Sequence, residues 1–195
     1  MATLQDHHKK NFMEVNKRLG LTPDEHMFKS SHAAFNNDKV VFAADQAGGD
    51  IIGKTIPVAS IAELKRLSGV PYDAKDDHIE YPAPLLKSGL TAKTLKREDL
   101  DNDSMELIQK AASAYILGNT EKVKDYEDLI NAAMFPGNAV VFTAENLYVK
   151  SGQTVVLGGS GNPEIYNFGT ITVERGGQIQ VIGNVQLTCQ IFTQL

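Results

Sequence analysis

One cysteine, Cys189, occurs in 195 residues, so no disulfide can form within the chain. That suits a reducing compartment without requiring one. No apolar run approaches the roughly 20 residues needed for a helical membrane span, so none is expected. The opening stretch, MATLQDHHKKNFMEV, has no apolar core of the kind a signal peptide carries. The expected location is cytoplasmic, or outside the cell by a route without a cleaved signal peptide. Positive charge is not in excess: 19 lysines and arginines stand against 24 aspartates and glutamates, a net charge of −5. Nucleic-acid binders usually show a basic face, so no nucleic-acid partner is expected. Paired cysteines and the His-Glu-x-x-His spacing of zinc sites are missing, so no metal site and no cofactor are expected.

What is present divides the chain by character. Residues 1–35 read as an N-terminal helical segment. Leu4, Phe12, Val15 and Leu19 recur at helical spacing before a stop at Gly20, and Thr22, Pro23, Asp24 and Glu25 form a second start signal. Residues 59–137 read as a helical insertion. Ser60 and Glu63 make a capping box, Ser104 can cap MELIQKAASAYIL, and Asn119 or Thr120 can cap EKVKDYEDLINAAM. The last two segments predict a helical hairpin with Leu107, Ala111, Ala114, Val123, Tyr126 and Ile130 inward. Residues 36–58 and 138–195 read as a β-rich module, because Val, Ile and Thr alternate with polar residues between glycines. The expectation is an α+β fold in one composite domain. Its N-terminal and central helical segments pack on a C-terminal β-rich module, either a short β-solenoid or β-sandwich-like.

Two internal similarities bear on that choice. VVFAADQAGGDIIGKTIPV (40–58) aligns with VVFTAENLYVKSGQTVVL (140–157), which sets Val40 against Val140 and Gly53 against Gly152. VERGGQIQV (173–181) follows VKSGQTVVL (149–157) at a spacing of 24. That spacing resembles one turn of a right-handed parallel β-helix, in which case the helical zones would have to cap so few turns. If both similarities are structural, Phe42 and Phe142 share one core.

Gly48 and Gly53-Lys54-Thr55 match the pattern of a nucleotide phosphate loop. Such a loop needs a helix starting at the Gly-Lys-Thr, so that its first amides meet the phosphates. Here Pro57 follows at once and the nearest helix signal is Ser60. A glycine turn before a strand accounts for the residues better. Asp6-His7-His8, Asp24-Glu25-His26 and Asp76-Asp77-His78 combine carboxylate with imidazole, but adjacent helical residues do not converge on one ion, so helix-end acids explain them. Glu145, Glu164 and Glu174 are the carboxylates a carbohydrate-cleaving β-helix could use, and Tyr148, Tyr166 and Phe168 could stack on a sugar. Leu187, Cys189 and Ile191 share a strand face, which makes Cys189 a buried side chain and not a nucleophile. GGSGNP (158–163) reads as a mobile loop.

No residue is therefore assigned a catalytic role, and ligand-binding residues are not specified. The function expected is that of a non-enzymatic structural or interaction protein that self-associates or binds a partner through its β-rich C-terminal module. The partner expected is a second copy or another protein. A carbohydrate-binding or carbohydrate-cleaving β-helix, with a glycan ligand, is the alternative, and a nucleotide-binding protein a lesser one. GQIQVIGNVQLTCQIFTQL (177–195) carries no charge to guard a strand edge, and Phe192 and Leu195 break its alternation. Docking of these two residues is expected.

Overall fold

A computed structural model of the chain describes residues 4–21, 27–28, 38–43, 51–75, 78–84 and 100–195. The start signal at Thr22–Glu25 and the glycine at 48 lie outside these residues. The chain has an α+β fold. It divides into two compact units, Met1–Ile56 with Asn138–Leu195, and Pro57–Gly137.

The first unit begins with α1 (Asp6–Arg18). Its end is a Schellman motif: the Leu21 amide donates to the Asn16 carbonyl and the Gly20 amide to Lys17, with Gly20 at φ 67°. The strands that follow are β1 (Met27–Phe28), β2 (Lys39–Ala43), β3 (Ile51–Ile52) and β4 (Lys54–Val58). Met27–Phe28 corrects the reading of residues 1–35 as helical. Two residues there pair parallel with Thr143 and Ala144 of a long central strand and cover its edge.

That central strand is β5 (Gly137–Val149). After it the chain alternates between two sheets through β6 (Thr154–Gly158), β7 (Glu164–Val173), β8 (Gln178–Ile182) and β9 (Val185–Gln194). One sheet has the order β1-β5-β7-β9 with β4 also paired to β5, and the other β3-β2-β6-β8. The ladders among β5 to β9 are parallel. Val149 lies beside Val173 and Thr154 beside Gln178, so the similar segments VKSGQTVVL and VERGGQIQV lie side by side in register. The step from β7 to β9 is shorter, with Glu164 beside Val185.

Between the sheets lies an apolar core that includes Val140, Phe142, Tyr166, Phe168 and Leu157. Phe42 belongs to it, with its ring centroid 5.3 Å from that of Phe142. The alignment of Val40 with Val140 is nevertheless out of register, because Val40 pairs with Val155. Inward positions run Phe142, Ala144, then Leu147, Val149, so alternation slips by one residue in mid-strand. The slip falls at Glu145 and recurs at Gly169 and Gln190, all of which fall between consecutive ladder pairs. Gly169 is required there: a Cβ would lie 2.5 Å from the Glu145 carbonyl oxygen. At the turns, Gly152 (φ 77°) and Gly176 (φ 86°) hold equivalent places and demand glycine. Gly20 shares that left-handed geometry, so it is no less demanding than Gly152.

The second unit packs α2 (Ile61–Ser68), α3 (Asn102–Leu117) and α4 (Glu127–Met134). Ser60 caps α2 by accepting from the Glu63 amide, and Gly69 ends it in the left-handed conformation. The cap of α3 is Asp101, which accepts from the Ser104 amide, in place of Ser104 itself. The segment after Asn119 is not one helix. It opens as a 3-10 stretch, Thr120–Tyr126, broken at Val123, before α4. Ala111, Ala114, Val123, Tyr126 and Ile130 are buried, whereas Leu107 is half-buried and Ile108 takes the inward place.

Lys65 is wholly buried in this unit. Its ammonium donates to the carbonyls of Tyr115 (2.8 Å), Ile116 (3.3 Å) and Gly118 (2.8 Å), the orphan acceptors at the end of α3. Burial pulls its pKa below the ordinary lysine value, against the opposing effect of Asp73. Among the described residues, no helix is long and apolar enough to cross a membrane.

Candidate functional site

The Gly53-Lys54-Thr55 segment opens a strand. Gly53 is buried, Lys54 donates to the Gly20 carbonyl at 3.3 Å, and the next helix begins only at Ile61. The helix amides that a phosphate loop presents are therefore not at this place. Gly53 answers to packing: a Cβ would lie 2.5 Å from Val140 Cγ1 and 2.7 Å from Phe142 Cζ. Gly53→Ala is expected to cost about 1–3 kcal/mol by overpacking, and Lys54→Ala less than about 1 kcal/mol. Urea unfolding of the two variants checks the order. Calorimetric ATP binding by the wild type, lost in Lys54→Ala, would restore the nucleotide reading.

The three carboxylates of the β zone do not share a site. Glu164 opens β7, Glu174 follows its end, and Glu145 lies level with its middle. At ~3.3 Å per residue, neighbours in this series are about 16 Å apart, beyond the roughly 5–9.5 Å that glycoside hydrolysis uses. Each carboxylate also has its own surroundings. Glu145 is exposed. Glu174 accepts from the Tyr148 hydroxyl and from the Ser151 amide at 2.8 Å. Glu164 is buried and accepts from the Tyr166 hydroxyl and from the Ser160 amide at 2.9 Å. The Tyr166 oxygen accepts in turn from the Gly158 amide at 2.9 Å. Glu164 and Tyr166 thus hold the GGSGNP corner, which is a tied turn.

Tyr166 and Phe168 are core residues, and only Tyr148 of the three aromatics reaches the surface. A sugar platform of the three is therefore not formed. Burial, then the bond to Glu164, raises the Tyr166 pKa, and burial does the same for Tyr115 and Tyr126. The sign follows from linkage. An unfolded tyrosine releases its proton near pH 10 while the folded one retains it. The stability these groups contribute is complete below pH 10 and declines as pH rises beyond it. An alkaline titration should show phenolate absorbance from these residues appearing together with loss of circular dichroism. Phenolates that form in full while the fold persists would overturn this.

His7 and His8 lie with ring centroids 3.9 Å apart at the start of α1, where the Gln5 amide donates to His8 Nδ1. Asp24-Glu25-His26 and Asp76-Asp77 lie outside the described residues. Among the described residues no three acidic, histidine or cysteine side chains gather in a way that could hold a metal. Cys189 packs against the core beside Leu187, and burial raises its thiol pKa. Ile191 does not share that face: it pairs with Thr170 beyond the slip at Gln190, and Phe192 takes the inward register.

Local patterns gave no signal for one polar cluster. Asn16 of α1 is buried, and its Oδ1 accepts from Thr143 Oγ1 and Asn167 Nδ2, each at 2.7 Å. Asn167 Nδ2 also donates to the Phe12 carbonyl at 3.1 Å, which fixes the orientation of its amide. Asn16 Nδ2 and Asn167 Oδ1 have no partner among the described residues.

The remaining candidate is the end of the β module. β8 and β9 are the last strands of their sheets, so among the described residues each has one unpaired edge. By register, Phe192 lies beside buried Ile171, and Val181 beside buried Leu157. Yet Phe192 is 57% exposed and Val181 55%. They are inward-facing residues with no layer above them among the described residues. Leu195 is 63% exposed, so the expected docking of Phe192 and Leu195 is not made within the described chain. From Gln178 to Leu195 there is no Asp, Glu, Lys or Arg.

No protein-family model, curated protein or solved structure matches this chain. The open end therefore rests on its own geometry: two unpaired backbone edges, an apolar floor between them and no charge.

Proposed function

We propose that the protein is a non-enzymatic structural or interaction protein, built on a short β-solenoid, whose C-terminal end face binds another protein chain. One observation carries this reading: Phe192 continues the column of buried Ile171 but is 57% exposed. An apolar residue in an inward register gains on the order of 1.5–3 kcal/mol when covered. The free edges of β8 and β9 supply the backbone donors and acceptors by which an added strand is recognised. Exposed uncharged edges invite aggregation, which a bound chain would prevent.

A photo-crosslinking amino acid at position 192, compared with one at Leu117 on α3, tests this in the native cell. Leu117 is also exposed, at 44%. Discrete protein adducts are expected from position 192 and not from 117. Equal yields from both positions, or none from 192, would end the interaction reading.

A further inference from the structure

We propose, on the basis of that interaction reading, that the chain covering the open end is a second copy of the same protein, with β9 pairing antiparallel to β9 of its partner. The two-fold axis is normal to both sheets. Rotation about such an axis reverses strand direction but leaves each sheet in its own plane. Each sheet then continues across the junction, and the inward face of one copy meets the inward face of the other.

Charge supports this occupant. A two-fold contact sets a strand against its own sequence, and like charges directly opposite each other are unfavourable. The stretch Gln178–Leu195 contains no charged residue, so self-pairing has no such penalty. Its β-branched side chains, Val185, Thr188, Ile191 and Thr193, also suit a paired strand.

Size supports it as well. β9 has ten residues, which span about 33 Å at ~3.3 Å each. Two sheets ~10 Å apart, with their side chains, make the face roughly 20 Å wide. On the order of 600 Å² per copy is then covered, near the ~800 Å² per partner of a standard interface. The face is thus large enough for a specific dimer with no further element.

The experiment is light scattering on the full chain from micromolar to millimolar concentration, for wild type, Phe192→Glu and Val181→Lys. Both positions are exposed in the single copy, so circular dichroism should show both variants folded. The wild type is expected at twice 21.3 kDa, and the variants as single copies with dimerisation weakened by on the order of 100-fold or more. Two outcomes overturn the proposal. Open-ended growth indicates head-to-tail stacking in place of a closed two-fold pair. A wild type that stays single throughout excludes the second copy. In that case an apolar fluorescent dye separates the proposal from the reading beneath it. Dye bound by the single wild-type chain and lost in Phe192→Glu leaves the face open to a different protein. No dye binding means the end is closed, and the interaction reading falls too.

Discussion

Gly158→Ala is expected to destabilise the β module by about 4 kcal/mol, combining ~1–3 kcal/mol of backbone strain with ~1–3 kcal/mol of overpacking. Gly158 ends β6 at φ 97°, a conformation that side chains with a Cβ rarely adopt. Its ladder neighbour is Ile182 of β8, and a Cβ would lie 1.9 Å from the Ile182 carbonyl oxygen. That oxygen is backbone within a strand, so it cannot swing aside as a side chain does. Gly159 is the internal control. Its φ is 103°, but a Cβ there meets nothing within 4 Å. Gly159→Ala should therefore show the backbone part alone, about 1–3 kcal/mol. Urea midpoints at unchanged m-value report the difference. Equal destabilisation by the two variants would mean that β6 and β8 are not in the contact described.

Lys65→Met should cost the helical unit about 3–5 kcal/mol. The methionine fills similar volume, so the loss is not a cavity. It is the loss of a donor to three carbonyls, those of Tyr115, Ile116 and Gly118. Lys65→Arg should not rescue it, because a planar guanidinium does not present donors as a compact ammonium does. Hydrogen exchange should locate the damage at the last turn of α3. Lys65→Met with wild-type stability would show that those carbonyls find another donor, and that the buried lysine is not the cap of this helix.

Lys65 also shows what the sequence could and could not disclose. IAELKRL announces a helix, and its start was readable from Ser60 and Glu63, because a cap is a local arrangement of neighbours. The fifth residue of that helix reads as a surface lysine. Its burial depends on the end of α3, remote in the chain, and nothing within α2 reports it. Asn16 is the same case, placed by Thr143 and Asn167 at the other end of the sequence.

In the β module, VKSGQTVVL and VERGGQIQV could be set side by side because their turn glycines, Gly152 and Gly176, mark a fixed point. The match of residues 40–58 with 140–157 leaned on Gly53 against Gly152, but Gly53 is packed against Val140 and Phe142 and is not, like Gly152, a left-handed turn. Alternating apolar residues fit more than one register, and stacking in the core chose another. The slip at Gln190 explains why Phe192 looked out of pattern. The three slip positions are Glu145, Gly169 and Gln190, a glycine between two long polar side chains, so no common residue type marks the slip. The open end of β9 was legible in two signs, the absence of charge and the late apolar pair Phe192 and Leu195.

The unequal corners of the β module also have a use. β6 and β7 are joined by residues 159–163, but β8 and β9 by Gly183 and Asn184 alone. The ladders between β6 and β8 and between β7 and β9 form nonetheless. Strand pairing is therefore indifferent to this difference in corner length. The short corner sits beside the end face, and Gly183 has open space around it. It is a natural graft point, where a peptide tag or reporter loop could be inserted without lengthening either strand.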